Sequence, residues 1–234
     1  MDGIKDMSKL FKFDMTRLTP KSDAAVAEFE RKFLEKSREE RYRKTAPERY
    51  WRESLDTYRT DTDERREAAE AAREFARAVS CGAFRTLILL GGAGTGKTHL
   101  ACGILRETGG LYRLSSAISE EIRRARSYGA KESEADVLDR YGRAGMLAID
   151  EIGRGISAQE EQYTLYQIIN ERYNRRKPTV LISNHPKKDF LNYVGIAAAD
   201  RLTESATVSE FSGKSYRAEI RREGLESAMD SAGV

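Results

Sequence analysis

The sequence predicts an α/β fold, a parallel five-stranded sheet flanked by helices, with a short helical extension ahead of it. Three observations predict it. The short apolar runs "RTLILL", "MLAIDEIG" and "TVLISNH" are bounded by turn residues and read as buried strands. Segments with helical spacing separate these runs, and such alternation implies right-handed crossovers and a sheet covered on both faces. The first 60 residues hold few apolar residues and read as an appendage.

The chain has 234 residues, of which 34% are charged and 39% hydrophobic, so its core is concentrated in a few strands. No apolar run approaches the ~20 residues that a membrane span needs. The N-terminus "MDGIKDMSKLF" lacks the apolar centre of a secretory signal. Cys81 and Cys102 have no metal-ligand spacing and read as buried or unreactive thiols in a reducing compartment. The expectation is a cytoplasmic protein with no membrane partner. The net charge of +3 is unevenly placed: residues 31–52 carry nine Lys/Arg against four Glu, leaving the remainder near −2. That basic block suits nucleic acid or an acidic partner, and suits a solvated helix face equally well.

In chain order, "LFKFDM" is ambiguous, and Thr19-Pro20 marks a helix start with proline in the first helical position. Val26, Phe29, Phe33 and Leu34 then fall on one helix face, to pack on the main domain or to dock on another protein. Pro47 interrupts the helical pattern, and "PERYWRESLDTY" reads as a linker packing aromatics onto the next domain. Thr60-Asp61-Thr62-Asp63 has the spacing of a capping box. An alanine-rich helix follows, with Phe75 and Val79 inward and Gly82 at its end.

Beyond "RTLILL", "HLACGILRET" is a helix, "GLYRLSS" a second strand, and "AISEEIRRARSYGAKESEADVLDRYGRA" mostly helical. "MLAIDEIG" is the third strand, "QEEQYTLYQIINERYNRR" a helix and "TVLISNH" the fourth strand. "AAADRLTES" is helical and "ATVSEF" a fifth strand.

The stretch Gly91-Gly92-Ala93-Gly94-Thr95-Gly96-Lys97-Thr98 carries the chemistry. Its glycines permit backbone angles that side chains forbid. Its N–H groups can converge on phosphate oxygens at a helix N-terminus, where the macrodipole also favours anions. Lys97 then reaches the β and γ phosphates, and Thr98 offers a hydroxyl to Mg²⁺. His99 closes the candidate nucleotide-contacting stretch, its ring reading as a packing or solvent-facing group.

Four apolar residues place Asp150 at the carboxyl end of a buried strand, where open α/β sheets bind ligands. There it can hold Mg²⁺ through water, while Glu151, pointing the other way, can polarise an attacking water. Asn184 ends the next strand. Its carboxamide can orient water or touch the γ-phosphate, or it is a turn-forming asparagine before His185-Pro186.

"GGAGTGKTHLACGI", "MLAIDEIG", "IINERYNRRKPTVLISNH" and "ADRL...SYR" together resemble the AAA+ ATPases of the DnaC and IstB group. The resemblance spans about residues 47–217. It implies a P-loop NTPase AAA+ core without a large helical lid. On the group's pattern Gly91 to Thr98 match the Walker A motif, Asp150 and Glu151 the Walker B pair, and Asn184 sensor 1. Arg201 matches an arginine finger, usually delivered by a neighbouring subunit, and Arg217 a sensor 2 arginine. For Arg201 an intrahelical pair with Glu204 is the plainer reading. The cofactors implied are ATP/ADP and Mg²⁺.

The same resemblance implies domains at 1–46 (partner-binding extension), 47–84 (linker and lead-in helix), 85–217 (ATPase) and 218–234 (tail). It implies a replicative helicase loader that grips a DnaB-type helicase through the extension, binds single-stranded DNA and assembles with ATP. Alternatives are an IstB-like transposition helper and a nucleotide-switched module with little turnover. Arg123, Arg124, Arg126 and Tyr128 lie where initiator-type members place a DNA-facing helix. They suit phosphate and base contacts, or a solvated helix paired with Glu120 and Glu121. The extension has no cysteine cluster, which departs from zinc-bearing loaders.

Overall fold

A computed structural model describes residues 23–213 together with 215 and 216. "LFKFDM", Thr19-Pro20, Arg217 and the tail lie outside the described residues. The chain divides into two compact units, residues 1–37 and 38–234. Within the first, the described residues belong to helix α1 (Asp23–Thr45). Val26, Phe29 and Leu34 are exposed along it, and Lys32–Glu28 and Arg31–Glu35 pair one turn apart.

In the second unit α1 stops ahead of Pro47, and a 3-10 turn, Glu48–Tyr50, takes over because proline has no N–H to continue a helix. Leu55 and Tyr58 of the lead-in are buried, and Tyr50 and Trp51 pack against the same core, as expected of that aromatic segment. Helix α2 (Asp63–Ser80) is capped two residues later than the sequence pattern suggested. Thr62, not Thr60, accepts from Arg65 N, and with an arginine at that position no reciprocal carboxylate completes the box. At its other end Gly82, at φ +83°, lets Ala83 N reach Ala78 O at 2.9 Å and closes the helix.

The remaining elements run β1 (Thr86–Gly91), α3 (Lys97–Thr108), β2 (Leu111–Leu114), α4 (Ser115–Ala125), α5 (Glu134–Arg143), β3 (Leu147–Ile152) and α6 (Ala158–Asn174). They end with β4 (Thr179–Ser183), α7 (Lys187–Val194), α8 (Ile196–Ser205) and β5 (Ala206–Phe211). The long helical stretch after β2 is two helices. α4 ends ahead of Gly129, and Ser133 with Asp136 forms a reciprocal capping box that starts α5. α7, which starts directly after Pro186, was not foreseen. Cys102 is buried, which raises its thiol pKa to about 12, whereas Cys81 is exposed, so of the two thiols expected to be buried or unreactive only Cys102 is buried.

All five strands are parallel, in the order β2-β3-β4-β1-β5. β1 is an inner strand, between β4 and β5, and its side chains alternate between two cores. Leu87 and Leu89 face the lead-in, α2 and α3, while Ile88 and Leu90 face α4 to α8. Because β4 lies between β1 and β3, the carboxyl ends of all three meet at one edge, with Leu90 beside Ser183 and Ser183 beside Ile152. Among the described residues no helix is long and apolar enough to cross a membrane.

At the other edge Arg172 of α6, 1% exposed, ties the sheet to α5. It donates to Thr179 Oγ1 at 2.8 Å, Tyr141 O at 2.6 Å, Ala144 O at 2.9 Å and also Pro178 O. Burial pulls its pKa down to about 9, so it still carries its charge at neutral pH. Replacing Arg172 with Met leaves those carbonyl oxygens without their donor. The expected cost is about 3 kcal/mol, read as a lower urea midpoint with an unchanged slope.

Candidate nucleotide site

The chain leaves β1 through Gly91, where an added Cβ would lie 2.1 Å from Phe211 O of β5. It enters α3 through Gly96, at φ +97°, which packs on the Tyr58 ring: a Cβ there would sit 2.7 Å from Tyr58 Cε2. Both positions are closed to larger residues, so the loop's path is set by the lead-in and by β5 as well as by its own glycines. The segment after β5 adds a further wall. Tyr216 N donates to Gly94 O at 2.9 Å, and the Tyr216 ring lies against the guanidinium groups of Arg59 and Arg65.

Lys97, only 5% exposed, folds its ammonium back over the loop. Nζ donates to Gly91 O at 2.7 Å, to Gly92 O at 2.6 Å and to Thr95 Oγ1 at 3.3 Å. An incoming phosphate anion would form charge-assisted bonds to this buried ammonium, stronger than its bonds to the loop carbonyl oxygens. The free N-terminus of α3 lies at the same point and adds partial positive charge.

Thr98 Oγ1 donates to Asp150 Oδ2 at 2.8 Å and joins α3 to β3 across 52 residues of sequence. Asp150 is 4% exposed. Its Oδ2 also accepts from Tyr112 Oη at 2.8 Å, and its Oδ1 from Glu151 N at 2.6 Å. Burial and the neighbouring Asp150 carboxylate push the Tyr112 phenol well above its ordinary pKa, so it stays a donor. Two oxygen ligands on rigid elements, one of them anionic, fit a hard divalent cation such as Mg²⁺.

Glu151 lies within β3 but interrupts its pairing with β4. The register between β3 and β4 shifts between Ile149 and Ile152, so Asp150 and Glu151 together face one residue of β4. Glu151 takes φ +56° and is exposed, its backbone re-aimed by the bulge. Asn184 follows β4 directly and is exposed at the same carboxyl edge, between the ends of β1 and β3.

The other candidates lie elsewhere. The His99 imidazole turns to the lead-in, 2.9 Å from Ser54 O and 3.2 Å from Thr57 Oγ1, edge-on to Tyr58. It is a packing group and not a wall of the phosphate loop. Arg201 of α8 borders a small groove with Thr86 and Thr179, the first residues of β1 and β4, at the opposite end of the strands from Lys97. It donates to Ala197 O at 2.7 Å and lies over the Tyr166 and Tyr173 rings. It does not pair with Glu204, which accepts from Tyr173 Oη instead.

Arg123 and Arg124 both pair with Glu120, and Arg126 is held bidentately by Glu134 at 2.7 Å. Tyr128 is fully exposed. Glu121 serves Arg140 and Tyr141 rather than these arginines. Tyr58, Tyr112 and Tyr216 were not legible as site residues, because nothing in their local sequence says which strand or loop they will face.

Three comparisons bear on this geometry. The family model described as IstB-like ATP binding protein matches residues 29–224. The replicative helicase loader DnaC of Escherichia coli (strain K12) is 26% identical over 179 residues, 71% of this chain and 70% of that protein. An insertion sequence ATP-binding protein of Sinorhizobium fredii is 30% identical over 150 residues, 60% of this chain and 48% of that protein. Among solved structures, the crystal structure of the DnaC helicase loader superposes with a TM-score of 0.63 at 21% identity, covering 70% of this chain and 99% of that one. With the phosphate loop, the buried aspartate and the strand order in place, the chain belongs to the IstB-like ATP binding proteins, in the DnaC and IstB group of AAA+ ATPases.

Proposed function

We propose that this chain is an ATP-dependent loader of a DnaB-type replicative helicase, acting in the cytoplasm. The observation that carries the reading is the pairing of the Lys97 ammonium over Gly91 and Gly92 with the Thr98–Asp150 bond, on elements that enclose one edge of the sheet. Residues Gly91 to Thr98 bind the triphosphate. Mg²⁺, held by Thr98 and by Asp150, neutralises charge on the β and γ phosphates when bound. Glu151, exposed on its bulge, accepts a proton from the attacking water, and Asn184 orients that water. Arg217, beyond the described residues, is assigned to the nucleotide by resemblance.

Arg201 cannot serve its own phosphate loop from the far end of the strands. Its place supports delivery to a neighbouring subunit, which makes ATP the signal for self-association. The extension, residues 1–46, carries the exposed Val26, Phe29 and Leu34 as the helicase-binding face. Arg123, Arg124, Arg126 and Tyr128 contact single-stranded DNA, exchanging their glutamate partners for phosphates. The 30% identity to an insertion sequence protein favours a second reading on the same core, a transposition helper acting on duplex DNA.

Lys97→Ala should abolish saturable binding of labelled ATP. Glu151→Gln should bind ATP like the parent while turnover falls about 100-fold or more, as expected for loss of a general base. Equal turnover of the parent and Glu151→Gln would remove Glu151 from the chemistry.

Arg201→Ala and Lys97→Ala subunits should each be inactive alone and recover part of the parental turnover when mixed. A site completed within one subunit would show no recovery.

Co-purification with the cognate helicase should require ATP and be lost in a Val26→Ser/Phe29→Ser variant. Capture of a transposase and not a helicase would favour the second reading.

A further inference from the structure

The loops that leave β3 and β4 are joined by a carboxylate that none of the chemistry above uses. Glu161 of α6 is 0% exposed. Its Oε1 accepts from Gly153 N at 3.0 Å and its Oε2 from Gly155 N at 2.9 Å, so it ligates the turn that follows Glu151. Oε2 also accepts from Tyr193 Oη of α7 at 2.6 Å. The Tyr193 ring stacks on His185 at 5.6 Å, and His185 is the residue after Asn184. The His185 ring lies against the same turn: a Cβ on Gly153 would meet Nε2 at 2.2 Å. His185 N in addition donates to Ser183 Oγ, whose hydrogen is given to Ile152 O at 2.7 Å.

These contacts close a ring. It runs from the turn after Glu151 through Glu161 to Tyr193, on to His185 and back to the turn. A buried carboxylate that accepts three hydrogen bonds is expensive to misplace, because its donors cannot be replaced by water. Burial and the Glu161 carboxylate raise the Tyr193 phenol pKa, so the tyrosine remains a donor at neutral pH. Gly155 leaves no slack, since a Cβ there would sit 2.6 Å from Glu161 Oε2.

We infer that Glu161 and Tyr193 form a positioning joint that holds the turn after Glu151 in register with Asn184–His185, so that the water-activating and water-orienting groups act at a fixed separation. The inference rests on the hydrolytic reading for its effect on turnover, but the joint itself is a statement about two loops. Neither residue touches nucleotide. Both act through the backbone that carries Glu151 and Asn184. β1 and its phosphate loop are outside the ring, so binding and turnover separate.

The variants are Tyr193→Phe, which removes one hydroxyl, Glu161→Gln, and Gly155→Ala as an independent push on the carboxylate. ATP affinity should match the parent in all three. kcat should fall about tenfold in Tyr193→Phe and further in Glu161→Gln, since small displacements of reacting groups are costly. The Tyr193→Phe/Glu161→Gln double variant should fall no further than Glu161→Gln alone. A general loss of stability would instead lower the active fraction and leave kcat per bound nucleotide unchanged.

Peptide-level hydrogen exchange gives the second measurement. Glu161→Gln should raise exchange both in 153–157 and in 184–193. Faster exchange confined to 153–157, or unchanged kcat in Tyr193→Phe and Gly155→Ala, overturns the joint. A parent protein without turnover would sink the hydrolytic reading and the effect on kcat, while the paired rise in exchange still decides whether the two loops are coupled.

Discussion

The hydrogen bond from Thr98 to Asp150 is the contact on which the rest of the molecule depends. It requires a helix N-terminus and the end of a strand distant in sequence to meet at one edge of the sheet. A carboxylate only 4% exposed is costly unless it is fully engaged. Thr98, Tyr112 and the Glu151 amide engage both of its oxygens, drawing on α3, β2 and β3 together. α3 packs in one of the two cores, and β2 and β3 reach both.

Strand order follows from the same need. With β4 between β1 and β3, the phosphate loop and the carboxylate pair are one strand apart, and the residue after β4 falls between them. The lead-in contributes as much as the sheet. Tyr58 packs on Gly96 and His99 bonds to Ser54 and Thr57, so the start of α3 is braced from a segment well ahead of β1.

The charged surface divides into two kinds of arginine. Arg172 is buried and spent on carbonyl oxygens, a purely architectural use of a guanidinium. Arg123, Arg124 and Arg126 are exposed and paired with glutamates, bonds that in solvent are worth little. Arg201 lies between these extremes, partly covered by two tyrosine rings at the end of the strands remote from Lys97.

Contiguous residues determined a great deal by themselves. The alternation of apolar runs with helical spacing, the glycine-rich bend before Lys97, and Asp150 at a strand's end are all written within windows of a dozen residues. Local backbone sterics and side-chain periodicity are sufficient to read them. Only the tertiary structure decided the order of the strands, the bulge that turns Glu151 outward, Tyr112 on Asp150, Glu161 on the turn beyond it, and the turning of His99 away from the phosphate loop. These depend on pairing between segments far apart in sequence. The free energy of such pairing lies in shared burial and in hydrogen bonds completed from two elements at once, which no single stretch of chain contains.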